Sequence, residues 1–404
     1  MSDFLLLIWS TGLQLLAVYL LLNVLYLLFF AIAGFIRQPA LPPVPAGQAP
    51  QRVCVLIPAY RTDAVILETA PAAARHAYAG HARVHVVADG LQPDTVHTLR
   101  SSGIEVHEVS FVKSTKGQAL RTALENIPNE AYDVALVLDV DNVMGNGFLN
   151  QVNQAFAAGY RVVQGHRTAK NLDSPFAVLD ACNEEINNSF FRQGPASLGM
   201  SSALIGSGMA FEFRYLKELL ATIGETAGED KELEFRILRD RVRIGYLPEA
   251  YVYDEKIPNA AVFTTQRTRW LALQLDFLRQ YFFAGWRELL KGNVEFFNKA
   301  MQTLLMPRLL LLGLLGAIFL LSMVLSPWLL SPWVWAGLLG GTSLALLLAL
   351  PGRLYSRPVA QAIWHLPLAL GAMMLAILQL KKAKSSFLPT PHTHKPDGPI
   401  APSQ

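Results

Sequence analysis

Val134-Ala-Leu-Val-Leu138-Asp139-Val140-Asp141 is a run of five apolar residues that ends in two carboxylates one residue apart. So short and apolar a run predicts a buried strand over residues 134–138, with chemistry gathered at its carboxyl end. Alternate residues of an extended chain share a face, so Asp139 and Asp141 point to the same side. Two convergent hard oxygen donors suit Mg2+ or Mn2+ bridged to a diphosphate. The plainer reading is a strand terminus closed by two turn-forming aspartates, and the Asp-x-Asp pair alone does not separate the two.

Working outward, residues 53–57 (Val-Cys-Val-Leu-Ile) read as a strand stopped by Pro58, residues 84–88 as a second and residues 104–109 as a third. Between them residues 63–78, 94–101 and 116–126 carry helical patterns. Strands alternating with helices predict an α/β fold with a mainly parallel sheet. Ligands in such sheets bind beyond the carboxyl ends of the strands, here residues 58–61, Asp89-Gly90 and Asp139–Asp141. A dinucleotide-binding fingerprint is disfavoured, because the first strand meets Pro58 where that motif needs glycine.

Of 404 residues, 52% are apolar and only 16% charged, against about 25% charged in soluble proteins. The deficit lies at the two ends. Residues 4–36 contain no charge and exceed the roughly 20 residues that span a bilayer core; the acidic start at Asp3 and the bulky Phe29, Phe30 and Phe35 favour an anchor over a cleaved leader. Residues 309–352 are also uncharged and suit two spans, broken near Ser326-Pro327 or Ser331-Pro332. Residues 358–380 form a third apolar run, weakened at His365 and Pro367 and followed by Lys381, Lys382 and Lys384. With the carboxyl end on the cytoplasmic side by the positive-inside rule, this run is expected to be interfacial or re-entrant, a complete fourth span being the rival. The net charge of +3 argues for no nucleic-acid partner. Cys54 and Cys182 form neither a disulfide framework nor a metal cluster.

Several further residues carry possible chemistry. Lys116 opens a helix and can reach a phosphate there; Glu229 and Asp230 open another, where acidic side chains also favour the helix dipole. Gly206 and Gly208 permit a tight turn. Gln266, Arg269 and Trp270 offer phosphate-binding and ring-stacking groups at the start of an amphipathic stretch. That stretch suits either a bilayer surface or a face packed on the catalytic domain.

Taken in order, Asp89, Asp139-x-Asp141, Glu229-Asp230 and Gln266-x-x-Arg269-Trp270, between membrane segments, resemble family 2 glycosyltransferases of the cellulose, chitin and hyaluronan synthase type. The resemblance implies a GT-A fold and an inverting hexosyltransferase that uses a nucleotide-sugar donor, such as a UDP-sugar. It further implies that Asp89, Lys116, Gln266 and Arg269 bind the donor and that Asp139 and Asp141 hold Mg2+ or Mn2+ on its diphosphate. Asp230 matches the general base, and Trp270, Gly206 and Gly208 match the acceptor side. Gly228 replaces the family's usual threonine before Glu229-Asp230, and Ala88-Asp89 replaces a pair of aspartates. Phe387, Thr390 and His392 are similar to a gating loop, with Pro389 and His392 departing from its pattern. The expected acceptor is a growing β-linked polysaccharide, with single transfer to a membrane lipid as the alternative. A non-catalytic export partner is disfavoured by intact Asp139, Asp141 and Asp230.

The expected organisation is an anchor over 1–37, a proline-rich linker over 38–51 and a cytoplasmic catalytic domain over 52–265. An interfacial segment over 266–300, membrane helices over 301–384 and a tail over 385–404 follow. An inner, plasma-membrane location is implied.

Overall fold

The structure is a computed structural model and describes all residues except 1–2, 113, 225, 227, 326–327 and 381–404. The residues read as a gating loop (Phe387, Thr390 and His392) and the lysines at 381, 382 and 384 lie outside the described residues.

The catalytic region is one eight-stranded sheet: β1 (Val53–Tyr60), β2 (Ala82–Asp89), β3 (Glu105–Val109), β4 (Val134–Val137), β5 (Val143–Met144), β6 (Val162–Ala169), β7 (Met209–Glu212) and β8 (Ile244–Asp254), in the order β3-β2-β1-β4-β7-β6-β8-β5. Four pairings are parallel and three antiparallel. The helices before and between these strands are α1 (Asp3–Ala33), α2 (Asp63–Ala74), α3 (Pro93–Ser101), α4 (Lys116–Glu125), α5 (Phe148–Ala157), α6 (Pro175–Asn188), α7 (Gly194–Ser197), α8 (Phe213–Ala221) and α9 (Glu229–Arg239). After β8 come α10 (Ala260–Leu290), α11 (Val294–Gln302), α12 (Arg308–Val324), α13 (Pro332–Ala349), α14 (Arg357–Ala362) and α15 (Leu366–Leu378).

Two details depart from the sequence reading. Strand β1 continues through Pro58 to Tyr60, because its pairing with β4 ends at Leu56 and beyond that point only β2 lies alongside. A one-sided ladder tolerates the missing proline N–H. Helix α2 ends at Ala74 rather than 78, and Tyr78 instead donates its hydroxyl to the Gln51 carbonyl at 2.6 Å. The sheet's apolar filling is continuous: Val55, Ile57, Val86, Leu136 and Leu138 pack on one side, and Leu56, Val137, Phe211 and Leu233 on the other.

Among the described residues, three helical stretches are long and apolar enough to cross a membrane: Leu7–Ala33, Pro332–Ala349 and Arg357–Leu378. Helix α12 is apolar but has 17 residues, about 25 Å of helix. The last stretch is interrupted by a 3-10 turn at Ile363–His365, where His365 and Pro367 mark its weak point. Helix α1 packs on α12 and α13 through Leu20, Val24, Leu27, Leu311, Trp335 and Leu338. Its few polar residues are tied to the chain ahead of α12: Tyr19 donates to the Leu304 carbonyl at 2.8 Å, and Asn23 accepts from the Met306 amide at 2.8 Å.

The stretch expected to be interfacial, 266–300, is built of α10 and most of α11, with a turn at residues 291–293 between them. Helix α10 packs on the catalytic domain through Phe277 and Tyr281, which stack on Phe235 of α9, while Phe283, Trp286 and Leu290 stay exposed. The packed face fits the reading of a helix laid on the α/β domain. Helices α10 and α11 touch at Gly285, where an added Cβ would lie 2.6 Å from the Ala300 Cβ. Gly285→Ala is expected to force the two apart, costing about 1–3 kcal/mol as overpacking does, seen as a lower thermal midpoint of the purified protein. Gly337→Ala, with nothing within 4 Å, should leave that midpoint unchanged or slightly raised.

Candidate active site

The strand ends meet as the α/β pattern requires. Tyr60 and Asp89 are register partners at the ends of β1 and β2, and the Arg61 amide donates to the Asp89 carbonyl at 3.0 Å. Arg61 holds φ of 50° and Gly90 φ of 69°, a backbone that non-glycine residues adopt rarely. Asp89 is buried, and its Oδ2 has no hydrogen-bond partner among the described residues. Such an atom is costly unless a ligand satisfies it.

One strand further along, β4 ends at Val137 and the chain delivers Asp139 and Asp141. Beside it β7 runs antiparallel, so its start, not its end, lies at this edge: Met209 is the partner of Val137. That geometry brings residues 205–208 over the aspartates. The Asp139 amide donates to Ser207 Oγ at 2.9 Å, and Ser207 in turn donates to Asn142 Oδ1 at 2.5 Å. Asn142 donates to Asp141 Oδ1 at 3.1 Å and to Asp254 Oδ1 at 3.0 Å, while the Glu255 amide donates to Asp141 Oδ2 at 3.1 Å.

Lys116, first residue of α4, donates to Asp139 Oδ1 and, at 2.6 Å, to the Gly206 carbonyl. Burial works against its charge, but Asp139, Glu229 and Asp230 outweigh burial and hold the ammonium above its ordinary value. Gly206 has φ of 85°, and a Cβ there would sit 3.9 Å from both Asp230 Oδ2 and Lys116 Nζ. At Gly208, φ is 63° and a Cβ would strike Val252 at 2.8 Å. Both glycines are thus required by backbone conformation, and Gly206 leaves the space between Asp230 and Lys116 open.

Asp230 stands in the first turn of α9 beside buried Glu229. Burial pushes the Glu229 carboxyl up to about 7, with Lys116 opposing and Asp230 adding to the rise. Gln266, Arg269 and Trp270 share one face of α10 by their spacing. Gln266 Oε1 is buried without a partner among the described residues, and Arg269 makes no ion pair among them. The indole of Trp270 is already engaged: the Arg267 guanidinium lies 4.2 Å from its ring centroid and pairs with Asp180 at 2.6 Å.

Asp89, Lys116, Asp139, Asp141, Gly206, Glu229, Asp230, Gln266, Arg269 and Trp270 line one cavity of about 1580 Å3. Its polar end holds Asp89, Lys116, Asp139, Asp141, Gly206 and Asp230, and α10 forms a side wall. Its apolar lining includes Leu309, Leu346, Leu350, Ile363 and Met373, from the apolar C-terminal helices and the turns that join them. Its volume exceeds the roughly 300–1,000 Å3 of a single small-molecule site. Among the described residues no group of three or more His, Cys, Asp or Glu could hold a metal ion unaided. Two carboxylates nonetheless match how Mg2+ is usually held, by one or two carboxylates together with substrate phosphates.

Sequence reasoning missed Arg167, Glu184 and Lys256 at the cavity floor. Arg167 pairs with Glu184 at 2.8 Å, Lys256 with Asp254 at 2.8 Å, and Lys256 is 1% exposed. Burial opposes the Glu184 charge, but Arg167, Lys256 and Arg192 together hold its carboxyl well below the usual range. Nothing local in the sequence marks them, since their partners lie on different elements.

A family model described as glycosyltransferase like family 2 matches residues 50–272, more than half of the chain. No protein of curated function matches significantly. Among solved structures, the mannosyltransferase PcManGT from Pyrobaculum calidifontis, determined with GDP-Man and Mn2+, is similar at TM-score 0.57 and 16% identity, over 93% of this chain and 99% of that one. Glucosyl-3-phosphoglycerate synthase from Mycobacterium tuberculosis, with Mn2+, UDP and phosphoglyceric acid, gives 0.36 and 18% over 52% and 72%. TarS from S. aureus gives 0.35 and 16% over 55% and 39%. The likeness to the first is one of fold, and it fits the expected GT-A architecture.

The raised Glu229 carboxyl has a measurable consequence. The folded chain keeps a proton there that the unfolded chain has lost, so stability is full below the ordinary value of 4.5 and falls as pH rises through about 7. In chelated, detergent-solubilised protein, Glu229→Gln is expected to flatten the decline of the thermal midpoint between these two pH values. An identical slope in the variant would mean that Glu229 is ionised throughout.

Proposed function

This chain belongs to glycosyltransferase-like family 2 and is a glycosyltransferase, and we propose that it moves a hexosyl group by inversion from a nucleoside diphosphate sugar to an acceptor hydroxyl at the membrane. The observation that carries this reading is the single cavity shared by the two strand-end aspartates, Lys116, Asp230 and the Gln266, Arg269 and Trp270 face of α10.

In the proposed reaction Asp89 meets the base of the donor, and Arg269 and Lys116 face its diphosphate. Asp139 and Asp141 would hold a Mg2+ or Mn2+ ion, which when bound offsets charge on the departing diphosphate. Asp230 accepts the proton of the acceptor hydroxyl as its oxygen bonds to the anomeric carbon. The bond from that carbon to the diphosphate breaks on the opposite face, and the nucleoside diphosphate leaves. One base without a second nucleophilic carboxylate gives a β-linked product from an α-linked donor. Gln266 orients the diphosphate, and Gly206 keeps the acceptor's approach to Asp230 clear. Trp270 offers the acceptor only the ring face that Arg267 leaves uncovered.

The sequence favoured a growing polysaccharide as acceptor; the apolar end of the cavity favours the lipid-borne alternative, because a polysaccharide has no use for a wall of leucine, isoleucine and methionine. The catalytic domain, residues 52–265, faces the cytoplasm in this reading, where nucleotide sugars are made.

Purified protein given a panel of nucleotide sugars and membrane lipids is expected to add single sugars to a lipid, read by mass. Asp230→Asn should lower turnover about 10^2- to 10^4-fold, the usual contribution of a positioned base, with donor binding retained. Asp139→Ala and Asp141→Ala should weaken donor binding in Mg2+ or Mn2+, and chelator should stop the wild-type enzyme. Full activity in excess chelator, or wild-type turnover in Asp230→Asn, would remove this mechanism.

A further inference from the structure

Of the arginines that line the cavity, Arg167 and Arg192 share Glu184 and Arg267 has Asp180, whereas Arg61, Arg269 and Arg308 make no ion pair among the described residues. Arg308, the first residue of α12, pairs with no carboxylate among the described residues. Its Nη2 donates to Asn183 Oδ1 at 2.7 Å and to Asn187 Oδ1 at 2.8 Å, and its buried Nη1 has no partner among the described residues. Phe190 and Phe191 lie beneath the guanidinium, with ring centroids 5.7 and 5.8 Å away.

Neutral amides and ring faces support a guanidinium but do not neutralise it, and a buried charge without its opposite is unfavourable. The amides also show which way the vacancy in hydrogen bonding faces. Asn183 and Asn187 lie one helical turn apart on α6, and both turn their oxygens to Arg308. Their NH2 groups therefore point elsewhere, and neither has a partner among the described residues. Three donor groups, one of them cationic, have no acceptor among the described residues. An anion with several oxygens fits such a set, and guanidinium with amides suits phosphate.

Position decides which phosphate. Arg308, Asn183 and Asn187 line the same cavity as Asp230, and the residue after Arg308 is Leu309, which starts the apolar wall that continues with Leu312, Leu346 and Ile363. The donor set thus stands at the border between the polar and apolar ends. We propose that Arg308, with Asn183 and Asn187, seats the phosphate headgroup of a lipid-linked acceptor whose hydrocarbon tail lies along this apolar wall. The inference rests on the glycosyltransfer reading above and names the acceptor class for that site. The phosphate is a handle, and a hydroxyl further along the headgroup is what Asp230 meets.

The test uses full-length protein in nanodiscs and two probes of equal chain length, a polyprenyl phosphate and the uncharged polyprenol, with inorganic phosphate and nucleoside diphosphate as separate arms. Wild type is expected to bind the polyprenyl phosphate at least about tenfold more tightly than the polyprenol, as a charge-assisted pair implies. Arg308→Gln should erase that preference, and Arg308→Lys, which keeps the charge but not the fork, should restore part of it. Nucleoside diphosphate binding should be equal in all three proteins. Because Arg308→Gln also gives up the hydrogen bonds to Asn183 and Asn187, retained nucleoside diphosphate binding is the measure that separates lost binding from lost folding. Equal binding of the two lipids by wild type would overturn the proposal, as would an unchanged preference in Arg308→Gln. Weakened nucleotide binding in Arg308→Gln would assign the arginine to the donor instead. Inorganic phosphate competing as tightly as the lipid would make this a free-anion site. Failure of the glycosyltransfer reading shows separately, as sugar nucleotides left unbound by wild type.

Discussion

The ion pair between Lys116 and Asp139 holds the reactive end of the cavity together, and most of the remaining geometry follows from it. Asp139, Asp141, Glu229 and Asp230 converge on one space, and like charges so close raise one another's cost of ionisation. A single ammonium, donating to Asp139 and to the Gly206 carbonyl, is the local offset. It also ties three separate pieces of chain. One is the start of α4, capped by Thr115, which accepts from the Gln118 amide at 3.2 Å. The others are the end of β4 and the left-handed turn at Gly206. The consequence reaches Glu229, where burial prevails over the lysine and the carboxyl keeps its proton to about pH 7. One wall of the site thus carries fewer negative charges than its composition suggests, which suits a diphosphate approaching it.

How much of this was legible depends on whether the cause was local. The strand ends at Asp89 and Asp139–Asp141 were readable because a short apolar run closed by carboxylates needs no knowledge of its neighbours. Lys116 and Glu229-Asp230 were readable as helix starts for the same reason. The antiparallel insertion of β7 was not, since Met209–Glu212 looks like any short apolar run and only its pairing with β4 brings Gly206 over the aspartates. Ser207 and Asn142 were missed with it. In the Gln266 to Trp270 stretch, the sequence drew attention to the outer residues and passed over Arg267, which is the one paired with Asp180 and stacked on Trp270. Charge-free length marked the apolar helices, and the weak point at His365 and Pro367 coincides with a 3-10 turn inside the last of them. Such length says nothing about what those helices enclose.

What they enclose is explained by α6. This helix contributes Asp180, Asn183, Glu184, Glu185, Asn187 and Asn188 to contacts with cations from elsewhere in the chain. Arg267 comes from α10, Arg308 from α12, and Arg353 from the turn after α13; Arg192 follows α6 itself and donates to Asn188 at 2.8 Å. Elements that enter or leave the apolar bundle are therefore each pinned to one helix of the catalytic domain by a guanidinium. Pairs as buried as Arg267 with Asp180 contribute little net stability over a well-packed apolar substitute, yet breaking one leaves an uncompensated charge. What such pairs supply is fixed relative position.

Fixed position matters in the proposed reaction, whose two halves would arrive from different solvents. A sugar nucleotide is soluble and highly charged, whereas a lipid-borne acceptor stays with its tail among apolar side chains. Two separate pockets joined by a flexible linker would leave the encounter to diffusion, and orientation is a large part of what an enzyme contributes to such a transfer. A single cavity with carboxylates and lysine on one part of its lining and leucines on another, its walls joined by arginines that bond to α6, removes that freedom. Its boundary between polar and apolar lining falls at Arg308, so the depth to which a headgroup can enter is set by the residue that begins α12. The distance of a bound acceptor from Asp230 is then a property of the fold, since the same helix that anchors Arg308 also carries Glu184, the carboxylate on which Arg167 and Lys256 converge beneath the donor end.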